Sequence, residues 1–532
     1  MKTTPMTARP MWMNTWLDYW RDSVQRGVLF AEILLNRESQ GAKHRAEAVP
    51  NVLRFDAEPF MRGKDLARPV NYLIARIVPP AGTKIDPCKR PFVIIDPRAG
   101  HGPGIGGFKA DSEIGFAMQA GHPCYIIGFT PDPEPGQTIE DVLYAEIDFL
   151  EAVKNAHPDA DGRPCVIGNC QGGWAAMMLA AVRPDLCGPL IIAGSPLSYW
   201  AGVEGKNPMR YTGGLLGGSW LTAMAGDLGR GIFNGGYLVQ NFENLNPANT
   251  LWTKYHNLWS GIDSEADRFL EFEQWWGSHI NLNQEEIQWI VDQLFIGNRL
   301  STGQLVTRDG NSIDFRNITS PVICFCSSGD NITPPQQALG WITDLYESDE
   351  EILAFGQTIL YRVHDNVGHL GIFVSSDVAR KEHRELASNI EFIDVLPPGI
   401  YEVVLTPRRK GEAGFKTDAP DWIMAIERRT LADIRQIVQP SEKNERRFEA
   451  VRRVSEINLA AYKKYTSPWV RWLTSLLPYG DKAPWAILNP LSPQSPCFKG
   501  MAQWMTAWAN QVRDHRLPAQ KTNTLQAYEG PR

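Results

Sequence analysis

One stretch, Arg163-Pro164-Cys165-Val166-Ile167-Gly168-Asn169-Cys170-Gln171-Gly172-Gly173-Trp174, constrains the fold of this chain more than any other. Cys165 to Gly168 is a short apolar strand, followed at once by a tight turn and an Ala/Met/Leu-rich helix over 172–183. Gly168-Asn169-Cys170-Gln171-Gly172 has the G-x-S-x-G form of a nucleophile elbow, with cysteine in place of serine. The flanking glycines have a mechanical reason: the nucleophile of such a turn sits on strained backbone, and its neighbours need small side chains for strand and helix to pass. The helix that follows offers free N–H groups and a positive dipole end to a thiolate or an oxyanion. The bland alternative is a glycine turn carrying a buried thiol.

The surroundings of this stretch alternate between strand and helix. Strands are expected at 72–78, 92–95, 124–128, 165–168, 190–193, 322–326 and 358–363, several of them apolar throughout, as in strands buried on both faces of a parallel sheet. Helical patterns lie between them at 111–120, 139–155, 172–183 and 336–346. This alternation specifies a doubly wound, mostly parallel α/β sheet. The 532 residues allow roughly two to four domains, and 43% hydrophobic with 21% charged residues suits a large core.

The chain then divides as follows. Residues 1–65 read as an N-terminal helical segment, with Trp16, Trp20, Val24, Leu29, Ile33 and Leu34 in one stripe, and a linker. Residues 66–198 and 316–397 form the two parts of the α/β core. Between them, 199–315 is rich in Gly, Asn and Trp and reads as a cap or lid over the carboxyl ends of the strands, where such sheets bind ligands. Its tryptophans, Trp200, Trp220, Trp252, Trp259, Trp275, Trp276 and Trp289, would serve as channel walls or as cap core. Residues 398–532 read as a mostly helical, Trp-rich extension, with one more apolar run at 400–405 and helices over 421–438 and 441–465.

A net charge of −7 leaves no dominant basic field for nucleic acid. The eight cysteines show no CxxC pair and no Cys/His ligand spacing, so neither a zinc site nor any other metal is expected. Cys324 and Cys326 share one face of a strand and read as core. Residues 1–10 lack an apolar signal core and no apolar run is long enough to span a bilayer, so the reading is a cytoplasmic, not a transmembrane, protein with reduced thiols.

A nucleophilic cysteine needs a base, and the base an orienting acid. In α/β-hydrolases these follow in the order nucleophile, acid, histidine, the last two on loops after late strands. Asp330, in Ser327-Ser328-Gly329-Asp330-Asn331, and His369, in Gly368-His369-Leu370-Gly371, occupy those places. His364, Asp365 and His101 are weaker competitors, and an Asp in a Gly-Asp-Asn turn also serves as plain turn chemistry. The glycine-rich loop Asp96 to Gly107, after the 92–95 strand, stands where an oxyanion hole takes one backbone N–H, assigned to Gly100; Gln171 supplies the other. The loop lacks the Gly-Lys-Ser/Thr of a phosphate cradle.

With these residues in view, the chain resembles the polyhydroxyalkanoate synthases. Gly168-Asn169-Cys170-Gln171-Gly172-Gly173 matches their G-x-C-x-G-G elbow. Gly329-Asp330-Asn331-Ile332-Thr333-Pro334 is similar to their acid loop, and Gly368-His369 to their catalytic histidine. Leu294 to Leu300 and Ile313 to Val322 also resemble the approach to that acid, so the likeness spans much of 15–375. The chain departs from the family at Trp275 to Leu282, where a Trp-Asn-x-Asp-x-Thr-like pattern is missing, and after about residue 397. The resemblance implies an α/β-hydrolase fold with an inserted cap and a helical C-terminal extension. It implies Cys170 as acyl-accepting nucleophile, His369 as base and Asp330 as its partner or a second base.

Cysteine suits acyl transfer. A thiolate attacking a thioester forms another thioester, nearly isoenergetic, so the acyl group stays activated for an alcohol. The expected activity is transfer from a 3-hydroxyacyl-CoA-type thioester, with acyl-CoA or a hydroxyacyl ester as substrate, no cofactor, a polyester granule surface as partner and a homodimer as assembly. The alternatives are a thioesterase or polyester hydrolase of the same fold, and a non-catalytic granule-associated protein.

Overall fold

The computed structural model describes residues 11–408, 422–477, 493, 495–520 and 522–529. The N-terminal segment 1–10 and part of the Trp-rich tail therefore lie outside the described residues. The chain folds into two compact units. One holds residues 48–239 and 279–475; the other is assembled from 1–47, 240–278 and 476–532.

The larger unit is built on a ten-stranded sheet. Its strands are β1 (Ala57–Arg62), β2 (Tyr72–Ile77), β3 (Phe92–Ile95), β4 (Cys124–Phe129), β5 (Cys165–Asn169), β6 (Leu190–Ala193), β7 (Val322–Ser327), β8 (Thr358–His364), β9 (Gly399–Pro407) and β10 (Trp422–Arg429). Their spatial order is β1-β2-β4-β3-β5-β6-β7-β8-β9-β10. From β4 to β9 neighbouring strands pair in parallel. The outer pairs β1/β2, β2/β4 and β9/β10 are antiparallel. With the elbow after β5, this is the α/β-hydrolase fold.

Both faces of the sheet are covered, which is why its central strands need no polar alternation. On one face Val93, Ile95, Val166, Ile192, Cys324 and Ile359 pack with Leu143, Leu150, Met177 and Leu339 from the helices Ile139–Ala156, Gln171–Val182 and Pro335–Leu345. Phe92, Ile94, Ile167, Ile191, Ile323 and Leu360 point the other way, onto Ile114, Met118, Leu386 and Ile390. Cys324 and Cys326 are buried in the first of these clusters, as the sequence suggests.

Several expected boundaries are corrected. Part of the presumed linker in 1–65 is strand β1, whose residues are exposed or half-exposed and so carry no apolar signature. The region after 397 is not simply a helical extension. β9 and β10 are its first structured elements, and the helix expected over 421–438 is in fact strand β10 followed by the helix Leu431–Val438. The helix Glu442–Ala461 and its continuation to Ser475 also belong to the sheet-bearing unit, where Tyr462 and Arg471 donate to the buried Asp227 at 2.8 and 2.6 Å.

The expected cap is likewise not one body. Residues 199–239 and 279–315 belong to the sheet-bearing unit, and 240–278 to the other. Its tryptophans serve separate packing roles rather than one wall. Trp200 stacks on Phe448 at 6.0 Å, Trp220 lies 6.0 Å from Tyr462 and Trp289 6.5 Å from Trp174, while Trp252 is exposed.

The second unit centres on the helix Met11–Arg45, longer than the sequence stripe suggests. Val28, Leu29 and Ile33 pack with Leu258, Ile262 and Ala509, drawn from the middle and the far end of the chain. Trp16 and Trp20, which begin the stripe, are exposed, whereas Asp22 and Arg26 are buried. Ion pairing explains the inversion: Arg26 meets Asp22 at 2.6 Å and Glu529 at 2.8 Å, and Arg516 joins Asp22 to Asp263.

Candidate active site

β5 ends at Asn169 and the helix begins at Gln171, so Cys170 alone turns the chain. Its backbone sits at φ 47°, ψ −117°, a conformation that costs a non-glycine residue about 1–3 kcal/mol and is kept only where the surroundings enforce it. The Cys170 N–H donates to the Ala193 carbonyl at 2.9 Å, and its own carbonyl accepts from Gly173 N–H at 3.1 Å. The glycines are required by space. A Cβ on Gly168 would stand 2.5 Å from Gly173 Cα, one on Gly172 would strike the Ile95 carbonyl, and one on Gly173 would enter the Ser195 side chain.

The loops after β7 and β8 bring two partners to the sulfur. His369, the first residue of the helix His369–Val374, places Nε2 3.3 Å from Cys170 Sγ and Nδ1 2.6 Å from Asp330 Oδ2. Asp330 Oδ1 accepts from the Ile332 and Thr333 N–H groups, each at 2.9 Å, which fixes the carboxylate. All three side chains are buried. Burial pulls the His369 pKa down. The charges and hydrogen bonds of Asp330 and Cys170 outweigh this and raise it to about 10. The arrangement has the makings of a thiolate–imidazolium pair with an anion behind the imidazole, a group able to attack an acyl carbon and return a proton.

The competitors have other work. His364 Nδ1 accepts from the Val367 N–H at 3.3 Å, closing the loop that carries His369, and Asp365 is exposed. His101 is buried in the glycine loop, bridged to His279, with Nδ1 3.2 Å from the Gly102 carbonyl. Burial lowers its pKa to about 4, and His369 and His279 add to the effect. Gly100, with φ 98°, packs where a Cβ would strike the Gly235 carbonyl, and its own carbonyl accepts from Ile280 N–H at 3.1 Å.

Further residues hold this machinery, and they were not singled out from the sequence. Asp96 accepts the Gly104 N–H, closing the glycine loop on itself; burial, opposed by those backbone N–H groups, pushes its carboxyl to about 7. Arg98 in the same loop donates to Glu286 at 2.8 Å, both buried, and to the Asn281 carbonyl at 2.8 Å. Asn169, next to Cys170, donates to the buried Glu113 at 2.6 Å. The only sequence signal for Glu113 is a charge at the start of an otherwise apolar helix. A small recess, lined by the apolar Ile95, Trp174 and Met178 and by the charged Asp96, Arg98 and Glu146, lies against Gln171 and Gly172. Among the described residues, no helix is long and apolar enough to cross a membrane.

A family described as "Protein of unknown function (DUF3141)" matches residues 22–530. An "Uncharacterized protein in ackA 5'region" from Rhizobium meliloti is 57% identical over 514 residues, covering 96% of this chain and 70% of that protein. A poly(3-hydroxyalkanoate) polymerase subunit from Allochromatium vinosum is 26% identical over 281 residues, covering 51% of this chain and 72% of its own. The corresponding subunit from Thiocystis violacea is 25% identical, over 57% of this chain and 80% of its own. The chain, an α/β-hydrolase-fold protein by its sheet order, is thus similar to these polymerase subunits at a distance.

Proposed function

The chain belongs to the family described as "Protein of unknown function (DUF3141)", and on that premise we propose that it is an acyltransferase with Cys170 as its nucleophile and a 3-hydroxyacyl-CoA-type thioester as its donor. The observation that carries this reading is the contact of His369 Nε2 with Cys170 Sγ at 3.3 Å, backed by Asp330 at 2.6 Å. The similarity to poly(3-hydroxyalkanoate) polymerase subunits supports the donor class.

In the first half-reaction the Cys170 thiolate attacks the thioester carbonyl. The N–H groups of Gln171 and Gly100 receive the developing oxyanion, the bond to the CoA sulfur breaks, and His369 hands that sulfur its proton. The product is an acyl-cysteine, still activated. In the second, a hydroxyl group attacks the acyl carbon while His369 takes its proton, the bond to Sγ breaks, and the thiolate–imidazolium pair is restored. The chemistry needs no cofactor.

The test is incubation with a panel of acyl-CoAs, following CoA release and acyl product together, with Cys170→Ala as control. Transfer predicts more CoA released than free acid formed, the difference appearing as oligomer or ester. Equal amounts would make the protein a thioesterase. No release from any acyl-CoA, with an unreactive Cys170, would support a binding role and sink the proposal.

A further inference from the structure

The loop after β6, the strand next to the one that leads into Cys170, carries a further polar side chain. Tyr199 lies six residues past the carboxyl end of β6, and its position is fixed from three sides. Its N–H donates to Asn298 Oδ1 at 2.7 Å, its carbonyl accepts from Gln337 Nε2 at 3.2 Å, and its ring rests on Phe295 with centroids 4.4 Å apart. Its hydroxyl, by contrast, is sealed from solvent and has no hydrogen-bond partner. An unsatisfied buried hydroxyl costs about 1–3 kcal/mol, so a side chain held this firmly in that state suggests a partner that arrives with substrate. Burial and, after it, the charge of the Cys170 sulfur hold the phenol well above the ordinary tyrosine range, so it stays a neutral O–H. No hydrogen bond joins the hydroxyl to the Cys170 sulfur.

Strand order says which group fits between them. β3 and β6 flank β5 on opposite sides. The glycine loop with Gly100 follows β3, so the oxyanion turns to that side. Tyr199 follows β6, the side from which β7 and β8 deliver Asp330 and His369. Around the tetrahedral carbon, the group on the histidine's side is the one that exchanges a proton with His369.

We propose that the Tyr199 hydroxyl binds the incoming hydroxyl group, of an alcohol acceptor or of water, that resolves the acyl-Cys170, and so acts as a catalytic residue of the second half-reaction. This inference rests on the acyl-cysteine chemistry proposed above. In the step, the incoming oxygen bonds to the acyl carbon, the bond to Sγ breaks, and the proton passes to His369 Nε2, which leaves the imidazolium beside the Cys170 thiolate. Tyr199 keeps its own proton, donating it to the lone pair of the incoming oxygen that does not attack.

The test is Tyr199→Phe, which removes one oxygen and keeps the ring on Phe295. With 3-hydroxybutyryl-CoA in rapid-quench experiments, the initial burst of CoA release should persist, within about twofold. Steady-state turnover should fall on the order of tenfold, the worth of one hydrogen bond, and the mass adduct on Cys170 should accumulate. Since the lost hydroxyl has no partner, the melting temperature should hold or rise. Burst and turnover falling together would place Tyr199 on the thiolate or the oxyanion and overturn the inference, as would unchanged turnover or a lowered melting temperature. A wild-type protein with no burst on any acyl-CoA would refute the acyl-cysteine reading itself, a result visible before the variant is made.

Discussion

Asn169 Nδ2 lies 2.6 Å from Glu113 Oε2, so the residue immediately before Cys170 is held by a carboxyl group that is itself buried. Burial raises the Glu113 pKa from 4.5 to about 7, the Asn169 hydrogen bond opposing it. A carboxyl raised in the folded state stabilises the fold most below its unfolded value, and that contribution is lost as pH rises through about 7. Glu113→Gln keeps an acceptor for Asn169 and removes the titration. Its stability against urea should therefore gain on the wild type from mildly acidic to mildly alkaline pH. A constant difference across that range would show that Glu113 titrates normally.

Cys170 should stand apart from the other seven thiols in reactivity. Cys124, Cys165, Cys187, Cys324 and Cys326 are buried, and burial raises each of them. Cys88 and Cys497 are exposed. At mildly acidic pH, iodoacetamide should label Cys170 first, by virtue of its imidazolium partner. Peptide mapping showing Cys88 or Cys497 labelled faster would remove the basis for an ion pair. Cys170→Ala should abolish acyl-enzyme formation with the fold intact, and Cys170→Ser should retain at most a trace of hydrolysis.

The His369–Asp330 pair predicts a pH profile as well as a loss of rate. His369→Ala should lower turnover on the order of 10²–10⁴, as for other positioned bases. With its pKa raised to about 10, His369 contributes stability that is whole below its ordinary 6.5 and lost as pH climbs through about 10. Asp330→Asn removes the anion, so that loss should move down towards neutrality while the protein stays folded. An unfolded variant of near-normal specific activity would reduce Asp330 to turn chemistry.

Arg98 and Glu286 test whether the glycine loop is fastened for catalysis. Arg98→Met strands a buried carboxylate that Gln137 also contacts at 2.7 Å, and should cost about 3–5 kcal/mol in unfolding free energy. Arg98→Met combined with Glu286→Gln should recover most of that stability. If the pair also positions the oxyanion donors, turnover will remain low in the double variant, and recovery of both would confine the pair to structure.

The fold was legible where burial on both sides left strands no choice of composition. β3 and β6 coincide with their apolar runs, and Cys170, Asp330 and His369 could be placed because each follows such a strand. β1 was not legible, since an edge strand with exposed side chains has no pattern to show. β10 was misread as helix because its inward Trp422, Met424 and Ile426 alternate with outward Ile423 and Ala425, so that both faces look apolar. Tyr199, Arg98 and Glu113 matter through what they face, and facing is set by residues roughly 60 to 190 positions away, beyond any local period.

The smaller unit draws its apolar seam from Val28, Ile262 and Ala509, three points spread along nearly the whole chain. On the ribosome the helix Met11–Arg45 therefore emerges before either of its partners and waits for both. Its partner helix Ile262–Trp276 follows some two hundred residues later, and Pro496–Asp514 roughly as far again beyond that. The sheet, with the nucleophile elbow, is translated before that last helix exists. Nascent chains arrested just short of residue 496 should thus carry a formed triad and an open Val28–Ile33 seam, the state most in need of a chaperone.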